Sequence, residues 1–293
     1  MSAALHARHP AGLPERVELG GTPFFAQTEF ACGPAALATV LGAAGISADP
    51  QVLGAEVFLP ARKGTLQAEM LAGARRHGAV AVLLPPNLEA LLREVAAGTP
   101  AVVLQNLGLS FAPLWHYAVA IGFDLDAEEL LLRSGTTRRE AISLRTFEHT
   151  WARGGHWAFV AMAPGRLPAG AAEQDVVDAL VGFERVADPA AAAVAYESAL
   201  ARWPGNLPLA IGLGNSRFAA GRLQQAEAAF VAAARRHDSA AAWNNLARTR
   251  IALGLAQAAR EAALRAVARA ESAEPQWLPA ARETLAATAP PLH

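Results

Sequence analysis

Two patterns of apolar and polar positions divide this chain. Between Val17 and about residue 163, short apolar runs alternate with segments of helical period; beyond residue 170 the apolar positions recur almost wholly at helical spacing. In the first part a helix over 33–44 is predicted, with Pro34 in its first turn and Gly42 and Gly45 at its end. Asp49 and Pro50 start a short helix over 50–57. Thr65 stands where it can cap a helix reaching His77, with Glu69 in the first turns. Residues 79–84 read as a buried strand stopped by Pro85 and Pro86, and Asn87 caps a helix through Ala97 that Gly98 closes. Strands are expected over 101–106, 115–123, 129–133 and 157–162, with one more short helix over 146–153. Helices come first and strands dominate later, which is the order of an α+β domain rather than a doubly wound sheet.

A Pro/Gly-rich run over 164–170 separates the two patterns, and a repeat emerges beyond it. Leu213, Gly214, Gly221, Ala226, Phe230 and Ala233 recur as Leu246, Ala247, Gly254, Ala259, Ala263 and Ala266, an offset of 33 residues. One unit upstream, Ala192, Tyr196, Ala199 and Pro204 fit the same template at an offset of 34. This resembles the tetratricopeptide repeat, a helix–turn–helix of about 34 residues. Ala226 and its equivalents stand where two helices of a repeat approach closely, and Tyr196 and Phe230 are expected to fill the gap to the next repeat. The repeat's usual aromatic four residues before Gly221 and Gly254 is replaced by Arg217 and Arg250. A last helix over 278–288 closes the array. The expected organisation is a loose leader at 1–13, an α+β domain at 14–166, a linker at 167–173 and helical repeats at 174–293.

Composition narrows the function. The length of 293 residues fits two domains, and 53% apolar residues supply ample core. A net charge of −1 argues against the basic surface of a nucleic-acid binder. With one cysteine, Cys32, no disulfide can form within the chain. The start of the chain lacks a basic stretch followed by an apolar one, so no signal peptide is expected, and no apolar run is long enough to span a bilayer. The compartment stays open between a soluble location and, with a leader not seen in this chain, the bacterial cell envelope. His-Glu-x-x-His, cysteine pairs, acidic calcium loops and phosphate loops are all missing from the sequence, so no metal or cofactor is expected.

The chemistry concentrates in two segments. In FFAQTEFACGPAALATVL, Cys32 stands at the start of a helix, where amide N–H groups and the helix dipole favour a thiolate. Gly33 leaves room for a substrate backbone. Gln27, five residues earlier, carries a side-chain amide suited to an oxyanion. In LWHYAVAIGFD, alternation puts His116, Ala118, Ala120 and Gly122 on one strand face and Trp115, Tyr117, Val119 and Ile121 on the other. The small residues beside His116 suggest that this face packs against the Cys32 helix.

Gln-x4-Cys-Gly-Pro-Ala-Ala-Leu from Gln27 and His-Tyr-x-Val-x-Ile-Gly-x-Asp from His116 together resemble the peptidase C39-like group of papain-fold cysteine peptidases, whose best-known members trim bacteriocin leader peptides. The resemblance implies an α+β papain-like domain followed by an all-α tetratricopeptide-like domain. It implies Cys32 as nucleophile, His116 as general base and Gln27 as oxyanion donor. The group's third residue is an Asp on the strand after the histidine, where this chain has Ser134; Asp124, eight residues after His116, is the other candidate and reads as a turn residue. The function expected is a thiol-dependent peptide-bond hydrolase acting on a peptide or protein substrate, with a protein partner docked in the groove of the repeats. The alternative is a catalytically weak or inactive peptide-binding scaffold that acts mainly through its repeats. Gln105 and Asn106 read either as a polar strand end or as part of a substrate cleft. Arg133, Arg138, Arg139 and Arg145 read as a solvated hairpin, Trp151 and Trp157 as core aromatics near the domain base, and His77, His149 and His156 as surface or structural.

Overall fold

The computed structural model describes residues 12–26 and 31–289. The chain divides into two compact units with the break between Val186 and Ala187.

The first unit is built on one sheet that holds seven strands among the described residues: β1 (Arg16–Glu18), β2 (Val80–Leu83), β3 (Ala101–Asn106), β4 (Trp115–Asp124), β5 (Glu129–Ser134), β6 (Thr137–Ser143) and β7 (Ala158–Met162). All pairings are antiparallel, in the order β2-β7-β3-β4-β5-β6, with β1 alongside the second half of β4. The helices are α1 (Cys32–Ala43), α2 (Pro50–Val57), α3 (Gln67–Arg76), α4 (Leu88–Ala96), α5 (Leu144–Ala152) and α6 (Glu173–Glu184). This is the α+β architecture expected from the order of patterns.

The core explains where α1 lies. Leu37, Val40 and Leu41 of α1 form one buried cluster with Tyr117, Val119 and Ile121 of β4 and Val102 of β3. Each fully buried leucine contributes on the order of 2 kcal/mol. The face of β4 against α1 is therefore the one with large side chains, not the His116 face of small ones. The helix itself supplies the small residues that permit close approach, Ala36 and Ala38. His116 belongs to the opposite face: it pairs in register with Gln105, whose Nε2 donates to Thr150 Oγ1 of α5 at 2.7 Å.

Three further local expectations change. Thr65 does not cap α3, which starts after Leu66 with no side-chain cap; the threonine packs instead against Gly33, where a Cβ would come within 2.6 Å of its Oγ1. Arg133 is not solvated: it is 4% exposed and donates to the carbonyls of Gly20, Thr22 and Arg138, tying the segment after β1 to the β5–β6 hairpin. Helix α6, which its period alone groups with the repeats, packs on β2 and buries Val176, Val177, Leu180 and Phe183.

The second unit consists of α7 (Pro189–Arg202), α8 (Leu207–Ala219), α9 (Leu223–His237), α10 (Ala240–Ala252), α11 (Ala256–Ser272) and α12 (Leu278–Ala287). Asp188, Asn206 and Ser239 cap α7, α8 and α10 by accepting from backbone amides of the first turn. Gly221 and Gly254 have φ of +72° and +74°, so both turns of the repeat need the left-handed conformation that glycine adopts freely. Arg217 and Arg250, the positions that depart from the repeat's aromatic, pair with Glu197 and Glu227 at 2.8 Å each.

Candidate active site

Cys32 is the first residue of α1 and is partly exposed. The first helical hydrogen bond runs from Ala35 N to Ala31 O. The N–H groups of Cys32 and Gly33 precede it, and Pro34 has none, so two backbone donors stand at the thiol end of the helix. Ala31 offers no capping side chain to compete for them. Gln27, the expected oxyanion donor, lies outside the described residues.

Cys32 and His116 line one cleft of about 1140 Å³. It is also lined by the 62–67 segment, by Leu114 and Trp115, by Gly135 and Thr136 of the β5–β6 turn, and by 153–155 after α5. The cleft wraps the end of the sheet where β4 begins, so side chains from both faces reach it. Tyr117, next to His116 but on the α1 face, donates from its hydroxyl to Thr65 O at 3.1 Å and meets Trp157 edge-on. Burial, with the Cys32 thiol close by, holds this phenol protonated far above its usual range.

His116 Nε2 lies 3.0 Å from Ser134 Oγ, and Ser134 is the ring's hydrogen-bond partner among the described residues. Burial lowers the imidazole pKa below the ordinary 6.5, with Glu140 opposing weakly. With Nε2 engaged, Nδ1 is the nitrogen left for another group. No hydrogen bond joins His116 to Cys32 among the described residues. Asp124, the other candidate for the third position, ends β4 eight residues away, roughly 26 Å at strand rise. It accepts from Ala127 N in a turn and pairs with Arg16.

Gln105 and Asn106 have structural partners. Gln105 bonds Thr150, and Asn106 Oδ1 accepts from the amides of Gly108 and Leu114 at 3.0 and 2.9 Å. Asn106 thereby stiffens the 107–114 loop, on which Leu107, Leu109, Phe111 and Leu114 are all exposed. Trp151 is buried and donates to Trp157 O, while Trp157 packs against Tyr117 beneath the cleft rather than at a distant base. His77 pairs with Glu56, and the ring of His156 lies edge-on to Trp151. Sequence reasoning did not find Tyr117, Thr65, Lys63 or Arg153 as cleft residues. One signal was available: Lys63 is the only lysine in the chain.

Residues 21–158 match the Peptidase C39 like family, and residues 187–237 match the tetratricopeptide repeat. The first unit carries a C39-like peptidase domain. A crystal structure of a C39-like peptidase from Bacillus anthracis aligns at 22% identity and a TM-score of 0.42, over 51% of this chain and 98% of its own. The double glycine motif protease of an AMS/PCAT transporter, solved in complex with the leader peptide, aligns at 18% identity and a TM-score of 0.36, over 47% of this chain and 89% of its own. No curated protein matches the chain. The C39-like domain is thus followed by a tetratricopeptide region, and no helix among the described residues is long and apolar enough to cross a membrane.

Proposed function

We propose that the C39-like domain hydrolyses peptide bonds with Cys32 as nucleophile and His116 as general base. One observation supports this most: Cys32 and His116 line a single cleft while Ser134 occupies Nε2 of the imidazole, which leaves Nδ1 for the thiol proton. His116 takes the proton from Cys32, and sulfur adds to the carbonyl carbon of the scissile bond. The N–H of Cys32 and, by family resemblance, the Gln27 amide hold the oxyanion. The C–N bond then breaks as the imidazolium gives its proton to the leaving amine, and a thioester remains. Water, deprotonated by His116, adds to the thioester; the acid leaves and the thiol reforms. The repeats serve as a docking surface for a protein partner or part of the substrate.

The sign of the pH dependence follows from burial. His116 must be neutral to accept the thiol proton, and burial favours the neutral form. Hydrolysis is expected to hold below pH 6.5 and to be lost only as the pH falls through the lowered value. Iodoacetamide alkylation tests the pair directly. An unassisted thiol titrates near about 8.5. Wild type is expected to react rapidly well below that pH, and His116→Ala to lose this low-pH reactivity. Identical, ordinary profiles for both proteins would sink the peptidase reading.

Ser134 orients the imidazole without a negative charge. That favours a second reading, a peptide binder of slow turnover, because serine stabilises an imidazolium less than a carboxylate does. Ser134→Ala is expected to lower the hydrolysis rate about tenfold by releasing the ring. Ser134→Asp is expected to raise the His116 pKa through the adjacent charge, moving the acid limb upward. pH–rate profiles of the two variants check both; an unmoved limb in Ser134→Asp removes Ser134 from the site.

A further inference from the structure

Three cations line the cleft, Arg62, Lys63 and Arg153, and no carboxylate does among the described residues. The chain as a whole carries a net charge of −1, so this concentration is local. None of the three takes part in a salt bridge among the described residues. Lys63 caps a single 3-10 turn, Pro60–Arg62, with φ of 49°, a left-handed conformation that lysine rarely adopts. Gly64 follows directly, so the chain turns on its only lysine although a glycine stands next to it. Arg153 is held by two bonds from its Nε and Nη2 to Asn106 O, at 3.1 and 2.8 Å, which fixes the guanidinium at the rim.

The same cleft has an apolar wall. Leu66, Leu114 and Trp115 line it and are 47%, 61% and 52% exposed. Leu114 does not collapse inward, because Leu107 N donates to Leu114 O and the Asn106 side chain holds the loop from within. Apolar side chains kept in water by a rigid loop beside a cleft mark a binding surface.

Building on the peptidase reading, we infer that the peptide accepted here is acidic: its Asp or Glu side chains meet Arg62, Lys63 and Arg153, and a neighbouring large apolar side chain covers Leu66, Leu114 and Trp115. Guanidinium groups suit carboxylates through paired N–H donors. Each exposed pair is weak by itself, so selectivity comes from several acting together and is sensitive to salt.

Fluorescence polarisation of the full chain carrying Cys32→Ala tests this without requiring turnover. Two pools of fluorescein-labelled, C-terminally amidated dodecapeptides serve as probes, identical except that every Asp and Glu of the first is Asn or Gln in the second. The acidic pool is expected to bind about tenfold more tightly or better, and the preference to vanish in Arg62→Gln/Lys63→Asn. Asparagine keeps the left-handed turn accessible, and an unchanged melting temperature verifies the fold. Equal binding of the pools, no binding of either, or a preference that survives the double variant overturns the inference. A neutral pool with a free C-terminus that binds as well as the acidic pool assigns the cations to an α-carboxylate and also overturns it. The two readings fail separately. Wild type that cleaves both pools equally keeps hydrolysis and loses acidity, whereas charge-selective binding without cleavage does the reverse.

Discussion

Cys32→Ala is expected to leave a proteome-derived peptide library uncut, with hydrolysis lowered about ten-thousandfold or more relative to wild type. The proposed covalent route runs through one sulfur, the only thiol in the chain, so no second cysteine can substitute. What survives in the variant is the cleft, His116 and the backbone donors at the start of α1, which bind and polarise but form no thioester. The structural cost of the change is small. Cys32 is partly exposed and touches the core only at its edge, so removing one sulfur costs about 1 kcal/mol or less. Mass-spectrometric counting of new peptide termini checks the result, with hydrogen exchange across β4 as the fold control. Cys32→Ala that cuts as fast as wild type would show that the thiol is not the nucleophile.

The parts legible from sequence are those in which local pattern and burial agree. Strands β3 and β4 are buried over most of their length, so their apolar runs stand out. Strand β6 reads TRREAIS and is largely exposed at the sheet's edge, so it has no apolar signature. That Cys32 and His116 share one cleft was legible through the two motifs that carry them. The face of β4 that receives α1 was not, because small residues can come from either partner in a close contact. Here the alanines of α1 take that part, and Tyr117, Val119 and Ile121 supply the bulk. The cleft's cations were hidden for another reason. Arg62 and Lys63 are brought beside Cys32 by a left-handed turn, and Arg153 by the turn after α5; neither geometry has a period to detect. Helix α6 shows the converse limit. Its period is that of any amphipathic helix, and only the surface it covers, β2, assigns it to the first unit.

Phe230→Ala is expected to destabilise the second unit by about 3–5 kcal/mol. Phe230 lies in α9, is 1% exposed, and stacks its ring on Gly214 of α8, where no Cβ would fit. Ala226 beside it, with Ala233 and Ala234 one turn on, and Leu246 and Ala247 of α10 complete the pocket, and most of these are too small to expand into the space a lost ring leaves. A repeat array is held by contacts between successive helices, so a cavity at one joint loosens both neighbours. Hydrogen exchange should therefore rise in α8 and α10 and stay unchanged in β3 and β4, which belong to the other unit. This local readout is needed because a chain of two units does not have a single unfolding transition. Gly214→Ala provides the opposite perturbation, overfilling the same contact, and is expected to cost about 1–3 kcal/mol. If Phe230→Ala raises exchange in β4 as strongly as in α8, the two units unfold together and the division at Val186 is not an energetic one. If neither segment responds, the Phe230–Gly214 contact does not hold the repeats together.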